Sequence, residues 1–138
     1  MPALPQAASS AILERDGRFL LIRRINPPSA DLFAFPGGRA EPGESPAETA
    51  LREFLEETGI PVRDPLLFAT YDIRGDKDDA RHFFLSVFTV QADADLEALA
   101  ADDAADAGWY TVEEIRSLPV PPSVLDCAER LAAMRNGG

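Results

Sequence analysis

The sequence predicts an α/β or α+β layer structure, on three observations. Short apolar runs punctuated by turn residues recur between Ala8 and Val90, as strands do. Among them lies one segment, Ser45 to Pro61, with helix signals at both ends. A second helical segment follows Pro121-Pro122-Ser123. Strands interleaved with helices pack as layers around a shared core.

Ala8 to Glu14, rich in small and apolar residues, reads as the opening strand. Arg15-Asp16-Gly17-Arg18 supplies an Asp-Gly turn, and Phe19 to Arg23 reads as the returning strand of a hairpin. Asn26-Pro27-Pro28-Ser29 breaks that strand, and Phe33-Ala34-Phe35 is a short apolar stretch that stops at Pro36-Gly37-Gly38. The helix begins with an N-cap serine, Ser45, with Pro46 at its first position and Glu48 at its third. Gly59 is its C-cap, with Pro61 beyond. Ala47, Ala50, Leu51, Phe54, Leu55 and Thr58 recur at helical spacing, so this face is expected to pack on a sheet. Leu66 to Tyr71 and His82 to Val90 are the next strands, with Gly75 to Asp79 as a hairpin loop. An acidic, alanine-rich loop runs from Ala92 to Ala107, part of it helical in composition. Trp109-Tyr110 reads as a short strand, Thr111 to Glu114 as a short capped helix, and the final helix runs to about Met134.

At 138 residues, 46% of them hydrophobic, the chain fits a single domain spanning 1–138. The net charge is −11, from 24 acids against 13 bases. Such a surface repels phosphate backbones and argues against a nucleic-acid polymer as partner. No apolar run reaches membrane-spanning length, and the N-terminus has no signal-peptide pattern. Cys127 is the only cysteine, which excludes an intrachain disulfide and a multi-cysteine zinc site and fits a reducing cytoplasm. The composition leaves room for a homodimer.

The chemistry is carried by acids. Glu53, Glu56 and Glu57 stand at i, i+3 and i+4 on the central helix and share one face, away from the apolar stripe. At roughly 6 Å and an effective dielectric near 20, each charged pair costs about 3 kcal/mol before exposure and salt reduce it. A hard divalent cation reverses that sign, because it selects carboxylate oxygens. As a bare cluster the three acids read first as a solvated face, partly neutralised by Arg52, which lies four residues from both Glu48 and Glu56.

The surroundings add a stronger signal. Gly38, five residues, Glu44, seven residues, then Arg52-Glu53-Phe54-Leu55-Glu56-Glu57-Thr58-Gly59-Ile60 resembles the 23-residue Nudix box in every polar and glycine position. Phe54 departs from the usual aliphatic residue, on the apolar face. The opening hairpin, Phe35-Pro36-Gly37-Gly38, and Trp109-Tyr110 followed by Thr111 to Glu114 extend the resemblance over most of the chain. It implies the Nudix fold, a mixed β-sheet sandwiched between α-helices. It also implies magnesium-dependent hydrolysis of a diphosphate linkage in a small nucleotide-like molecule, with manganese able to substitute. A nucleoside triphosphate and an ADP-ribose-like compound are both open.

By resemblance, Glu53, Glu56 and Glu57 are the metal ligands, with Glu57 foremost. A carbonyl at Gly37 or Gly38 joins the metal shell, and Glu44 serves a further metal or its water, or else steadies the helix N-terminus. The general base is either a box glutamate or an acid of the loop before Trp109, where similar hydrolases favour a position such as Asp103. Arg23 or Arg24 meets a phosphate, alternation along the strand allowing only one of them, and resemblance favours Arg23. Phe35 stacks on a base or belongs to the core. His82 reads as structural or surface.

Three other readings are weaker. The isopentenyl diphosphate isomerases share this fold but need an active-site cysteine, and Cys127 lies far along the chain. The tyrosine of diadenosine polyphosphate hydrolases is replaced by Asp76-Lys77-Asp78. A non-catalytic nucleotide-binding module of the same fold tends to lose box carboxylates, and all are present here.

Overall fold

The computed structural model describes residues 5–24, 31–74, 82–93 and 104–136, and the side chains of all of these but 104–106 and 136. Among the described residues eight strands and three helices occur, in the order β1 (Gln6–Ile12), β2 (Glu14–Arg15), β3 (Arg18–Arg24), β4 (Phe33–Ala34), β5 (Gly37–Arg39), α1 (Pro46–Thr58), β6 (Arg63–Arg74), β7 (His82–Gln91), β8 (Ala104–Tyr110), α2 (Val112–Ile115) and α3 (Pro122–Asn136). The strands form two sheets. One runs β5-β1-β7-β6, and in the other β3 pairs with β2, β4 and β8.

The expected opening hairpin is divided between these sheets. β1 lies antiparallel to β5 and parallel to β7, with Ser9 facing Gly38 on one side and Ser86 on the other. After Leu13 the chain changes sheets, and only Glu14 and Arg15 turn back on β3. Asp16 and Gly17 both have positive φ, 54° and 77°, which is the geometry of a tight primed turn. The expected strand was therefore two strands with a switch at Leu13. Apolar pattern alone does not reveal such a switch, because both halves alternate in the same way.

That alternation distributes the core. Ala11, Leu13, Leu20, Phe88 and Val90 pack with Ala50 and Phe54 of α1. Ile12, Phe19, Leu21 and Val87 point to the opposite side, where Ile115 of α2 and Val124, Cys127 and Ala128 of α3 cover them. The sheets thus lie between α1 and the α2–α3 pair, the expected mixed sandwich. Phe54 is fully buried, worth roughly 2–3 kcal/mol by area. Leu55, expected on the apolar stripe, is instead exposed, and Glu57 takes its place among the buried residues.

β8 is longer than expected, since it starts at Ala104 and pairs with β3 back to Arg24. The hairpin loop expected at Gly75 to Asp79 lies outside the described residues, although Arg74 pairs with His82 across its ends. β6 is the edge of its sheet and leaves Leu66 and Leu67 largely exposed. Its pairing with β7 shifts register on either side of Leu66 and Leu67. Tyr71 of β6 donates its hydroxyl to Asp126 at 2.6 Å and so ties this sheet to α3. Among the described residues no helix is long and apolar enough to cross a membrane.

Candidate active site

The site is organised by a short glycine strand and the helix that follows it. β5 lies beside β1 so closely that a Cβ at Gly37 would meet the main chain of Ser9 and Ser10. A Cβ at Gly38 would sit 2.5 Å from the carboxyl carbon of Glu53. A side chain is therefore excluded at Gly37, and at Gly38 it would displace the Glu53 carboxylate, so the main chain of β5 approaches the acids of α1 directly. α1 starts where expected: Ser45 accepts from the Glu48 backbone N–H at 3.2 Å, and Glu48 accepts from the Ser45 N–H at 2.9 Å. It ends at Gly59, in the left-handed region at φ 76°, with its N–H donating to the Leu55 carbonyl.

Between these caps the three glutamates occupy different environments. Glu57 is 6% exposed and accepts the Gly37 backbone N–H at 2.7 Å, and Arg24 Nη1 reaches it at 3.5 Å. Glu53 lies half-covered against Gly38, while Glu56 is exposed. The expected acidic face is therefore graded, from buried at Glu57 to solvent at Glu56. The physical reason is that Glu57 follows Phe54 by three residues and precedes buried Thr58, which puts it at the seam with the core.

Arg52 is the hub of the cluster. Its Nε donates to Glu44 at 2.6 Å and its Nη2 to the same carboxylate at 3.0 Å, a forked contact. Nη1 reaches Glu53 at 2.9 Å and Glu56 at 3.2 Å, and Nη2 also donates to the Arg39 carbonyl at 3.1 Å. Glu44 in addition accepts from the Glu41 N–H and the Thr49 hydroxyl. These contacts, the Arg52 hydrogen bond foremost, hold the Glu44 carboxyl down to about 2. Glu44 is thus fastened to Arg52 and to the loop before α1.

The donor set suits a hard divalent cation: several carboxylates on one helix beside a glycine strand whose carbonyls are not shielded by side chains. Among the described residues, no three acid, histidine or cysteine side chains already close on a single point. Their charges are instead shared with Arg52 and Arg24.

Next to this cluster is a cavity of about 440 Å³, whose lining includes Arg24, Phe35, Gly37 and Gly38. Its floor is low because β1 and β5 contribute small residues there, Ala8, Ser10 and Gly37. Phe35 lines it while also packing in the core with Ile12 and Leu21, as the core reading expected. Of the two arginines, Arg24 faces the cavity and Glu57, whereas Arg23, the one favoured by resemblance, pairs with Asp31 at 3.1 Å away from the cavity lining. The register shift between Arg23 and Arg24 in the pairing with β8 is a local irregularity that alternation does not contain. His82 pairs with Asp72 across the β6–β7 ladder, away from the acids. Asp103 lies outside the described residues, immediately before Ala104, the partner of Arg24.

Comparison with known proteins places this arrangement among relatives. A family profile described as NUDIX domain matches residues 3–130. The chain is 35% identical over 114 residues to the ADP-ribose pyrophosphatase of Methanocaldococcus jannaschii, covering 83% of this chain and 66% of that protein. It is 30% identical over 131 residues to the CTP pyrophosphohydrolase of Escherichia coli, covering 91% and 90% of the two chains. The crystal structure of a MutT NUDIX hydrolase from Burkholderia pseudomallei superposes with a TM-score of 0.81 at 26% identity, covering 92% of this chain and 98% of that one.

Proposed function

The chain belongs to the Nudix hydrolase family, and from that premise we propose that it is a magnesium-dependent enzyme cleaving a nucleoside diphosphate derivative. The substrate is a nucleoside triphosphate or an ADP-ribose-like molecule, broken at its diphosphate linkage by water attack at phosphorus. One observation carries this reading. The cavity is lined by Gly37 and Arg24, which contact Glu57, and by Gly38, which lies against Glu53. A ligand in it therefore meets the acids with its charged end.

Glu53, Glu56 and Glu57 hold the cation in this reading, helped by a carbonyl of Gly37, with Glu44 keeping Arg52 in place or serving a second ion. Held there, magnesium would offset the diphosphate charge and make a bound water more acidic, with manganese able to substitute. Arg24 takes the phosphate contact, since it alone of the two strand arginines lines the cavity. Phe35 closes the cavity beside it. Asp103 takes the proton of the attacking water. What supports this is chain position: its neighbour Ala104 lies opposite Arg24, which in turn reaches Glu57. We further infer that residues 1–138 act as one cytoplasmic domain.

The test is incubation with magnesium and a panel of ATP, CTP and ADP-ribose, measuring release of pyrophosphate, phosphate or monophosphate. Magnesium-dependent release from at least one compound is expected. Equal traces from the parent and Glu57→Gln would remove the hydrolase reading for this chain. For the base, Asp103→Asn is expected to lower turnover by about a hundred-fold or more at saturating substrate and to alter the acidic limb of the pH profile. An unchanged profile returns the role to Glu53, Glu56 or Glu57.

A further inference from the structure

We propose that Tyr71 is a positioning residue for the cavity: its hydroxyl, clasped by Asp126, holds the first turns of α3 over the sheet as the wall that a ligand meets. The assignment rests on the hydrolase reading for what enters the cavity and adds what keeps that wall in place.

The cavity has β6 and β7 on one side and the start of α3 on another. Ile73 and Phe83, partners across β6 and β7, both line it, as does Leu85. Tyr71 is the cross-strand partner of Leu85 and lies two residues from Ile73. It therefore stands on the same face of the sheet, at the margin of the cavity. Its hydroxyl donates to Asp126 at 2.6 Å and lies 3.2 Å from the Cys127 sulfur. On α3, Ser123 and Val124 line the cavity, and Asp126 and Cys127 follow them by three residues each. Residues at that spacing share a side of the helix, one turn along. The tyrosine is thus a strut between the sheet and the turn next to the wall.

A second contact joins β6 to α3 farther along the helix. The register shift between Leu67 and Ala69 marks a bulge at Phe68, and Arg130 lies over that ring at 4.8 Å. Arg130 also reaches Asp126 at 3.5 Å. The far end of α3 is held separately, by Arg135 on Glu14. Of these ties, only the Tyr71 hydroxyl falls within a turn of the cavity wall. Packing alone would be served by the ring; the oxygen adds direction, because a phenol donating to a carboxylate makes a short, charge-assisted bond. Burial, and then the Asp126 bond, push the Tyr71 hydroxyl well above the ordinary phenol range, so it stays a donor at neutral pH.

Cys127, the only cysteine, is fully buried beside this hydroxyl and reports whether the turn lifts. Labelling by a thiol reagent such as DTNB is expected to run about ten-fold faster in Tyr71→Phe than in the parent. It is expected to be insensitive to low urea, the mark of a local opening rather than global unfolding. Titration calorimetry in magnesium supplies the second readout. AMP, bulky enough to meet the wall, is expected to bind Tyr71→Phe about ten-fold more weakly. Inorganic pyrophosphate, which needs only the carboxylate end, is expected to bind it as it binds the parent. Asp126→Ala is expected to match Tyr71→Phe in both measurements, and Asp126→Asn, which keeps an acceptor oxygen, to match the parent. Parent-like labelling or AMP binding by Tyr71→Phe would overturn the proposal. So would labelling that follows urea, an equal loss for pyrophosphate, Asp126→Asn behaving as Asp126→Ala, or a parent that binds no AMP. If hydrolysis is seen while Tyr71→Phe labels and binds normally, only the positioning role falls. If no hydrolysis is seen but the expected labelling and binding hold, only the hydrolase reading falls.

Discussion

At the scale of single residues, the site depends on how each carboxylate is matched. Glu57 is buried yet satisfied, by a backbone N–H and a nearby guanidinium. Glu57→Gln keeps its shape and one acceptor oxygen, so folding is expected to be near normal in a thermal melt. Turnover is expected to fall about a hundred-fold or more at saturating magnesium, because the ligand charge is lost. Glu44 illustrates a different effect. Its carboxyl is held down to about 2, chiefly by the hydrogen bond from Arg52, against 4.5 for the ordinary group. A carboxyl lowered by folding stabilises the folded form fully above the ordinary value, and that contribution disappears as pH falls through the lowered one. The melting temperature of the parent is expected to drop between about pH 4.5 and pH 2, and Arg52→Gln is expected to flatten that part of the curve. An unaltered slope in the variant would show that Arg52 is not the cause. The identities of these acids were legible in the sequence. Their ranking from buried to exposed was not, because it depends on where the helix seam meets the sheet.

At the scale of elements, α1 was the most legible part of the chain. Its serine cap, proline, glutamate and terminal glycine are local signals, and local signals do not depend on the rest of the fold. Ser45→Ala removes one half of the capping box and is expected to cost about 1 kcal/mol in denaturant unfolding. β5 was not legible: Gly37-Gly38 has weak strand propensity, and its strand character comes from pairing with β1, so close that a Cβ at Gly37 would meet Ser9 and Ser10. The length of β8 was also missed. Ala104 to Gly108 carries no alternation, and its strand character comes from lying against β3. In both cases tertiary pairing overrode weak local preference, and in both the missed strand borders the site.

At the scale of the whole molecule, a chain of net charge −11 carries arginines at both ends of its cavity. Arg24 and Arg39 thus put positive charge on the lining of a cavity in an acidic chain, and if the cavity takes the proposed phosphorylated ligand they would attract it. Divalent ions held by the proposed site would relieve the remaining repulsion and, if they bind only the folded form, would raise its stability by mass action. At a hundred times the dissociation constant the gain is about 2.7 kcal/mol. Millimolar magnesium or manganese is therefore expected to raise the melting temperature, and Glu56→Gln to reduce that rise. Absence of any shift with either ion would count against a folded carboxylate site. The strand order has a consequence of another kind. β1 pairs with β7 and β3 with β8, so strands made early in translation must wait for partners made much later. Until Tyr110 has left the ribosome, the apolar β3 segment Phe19-Leu20-Leu21-Ile22 lacks its longest partner. The nascent chain is then a natural client for chaperones, and ribosome-bound chains that stop before β8 should resist proteolysis far less than the finished protein.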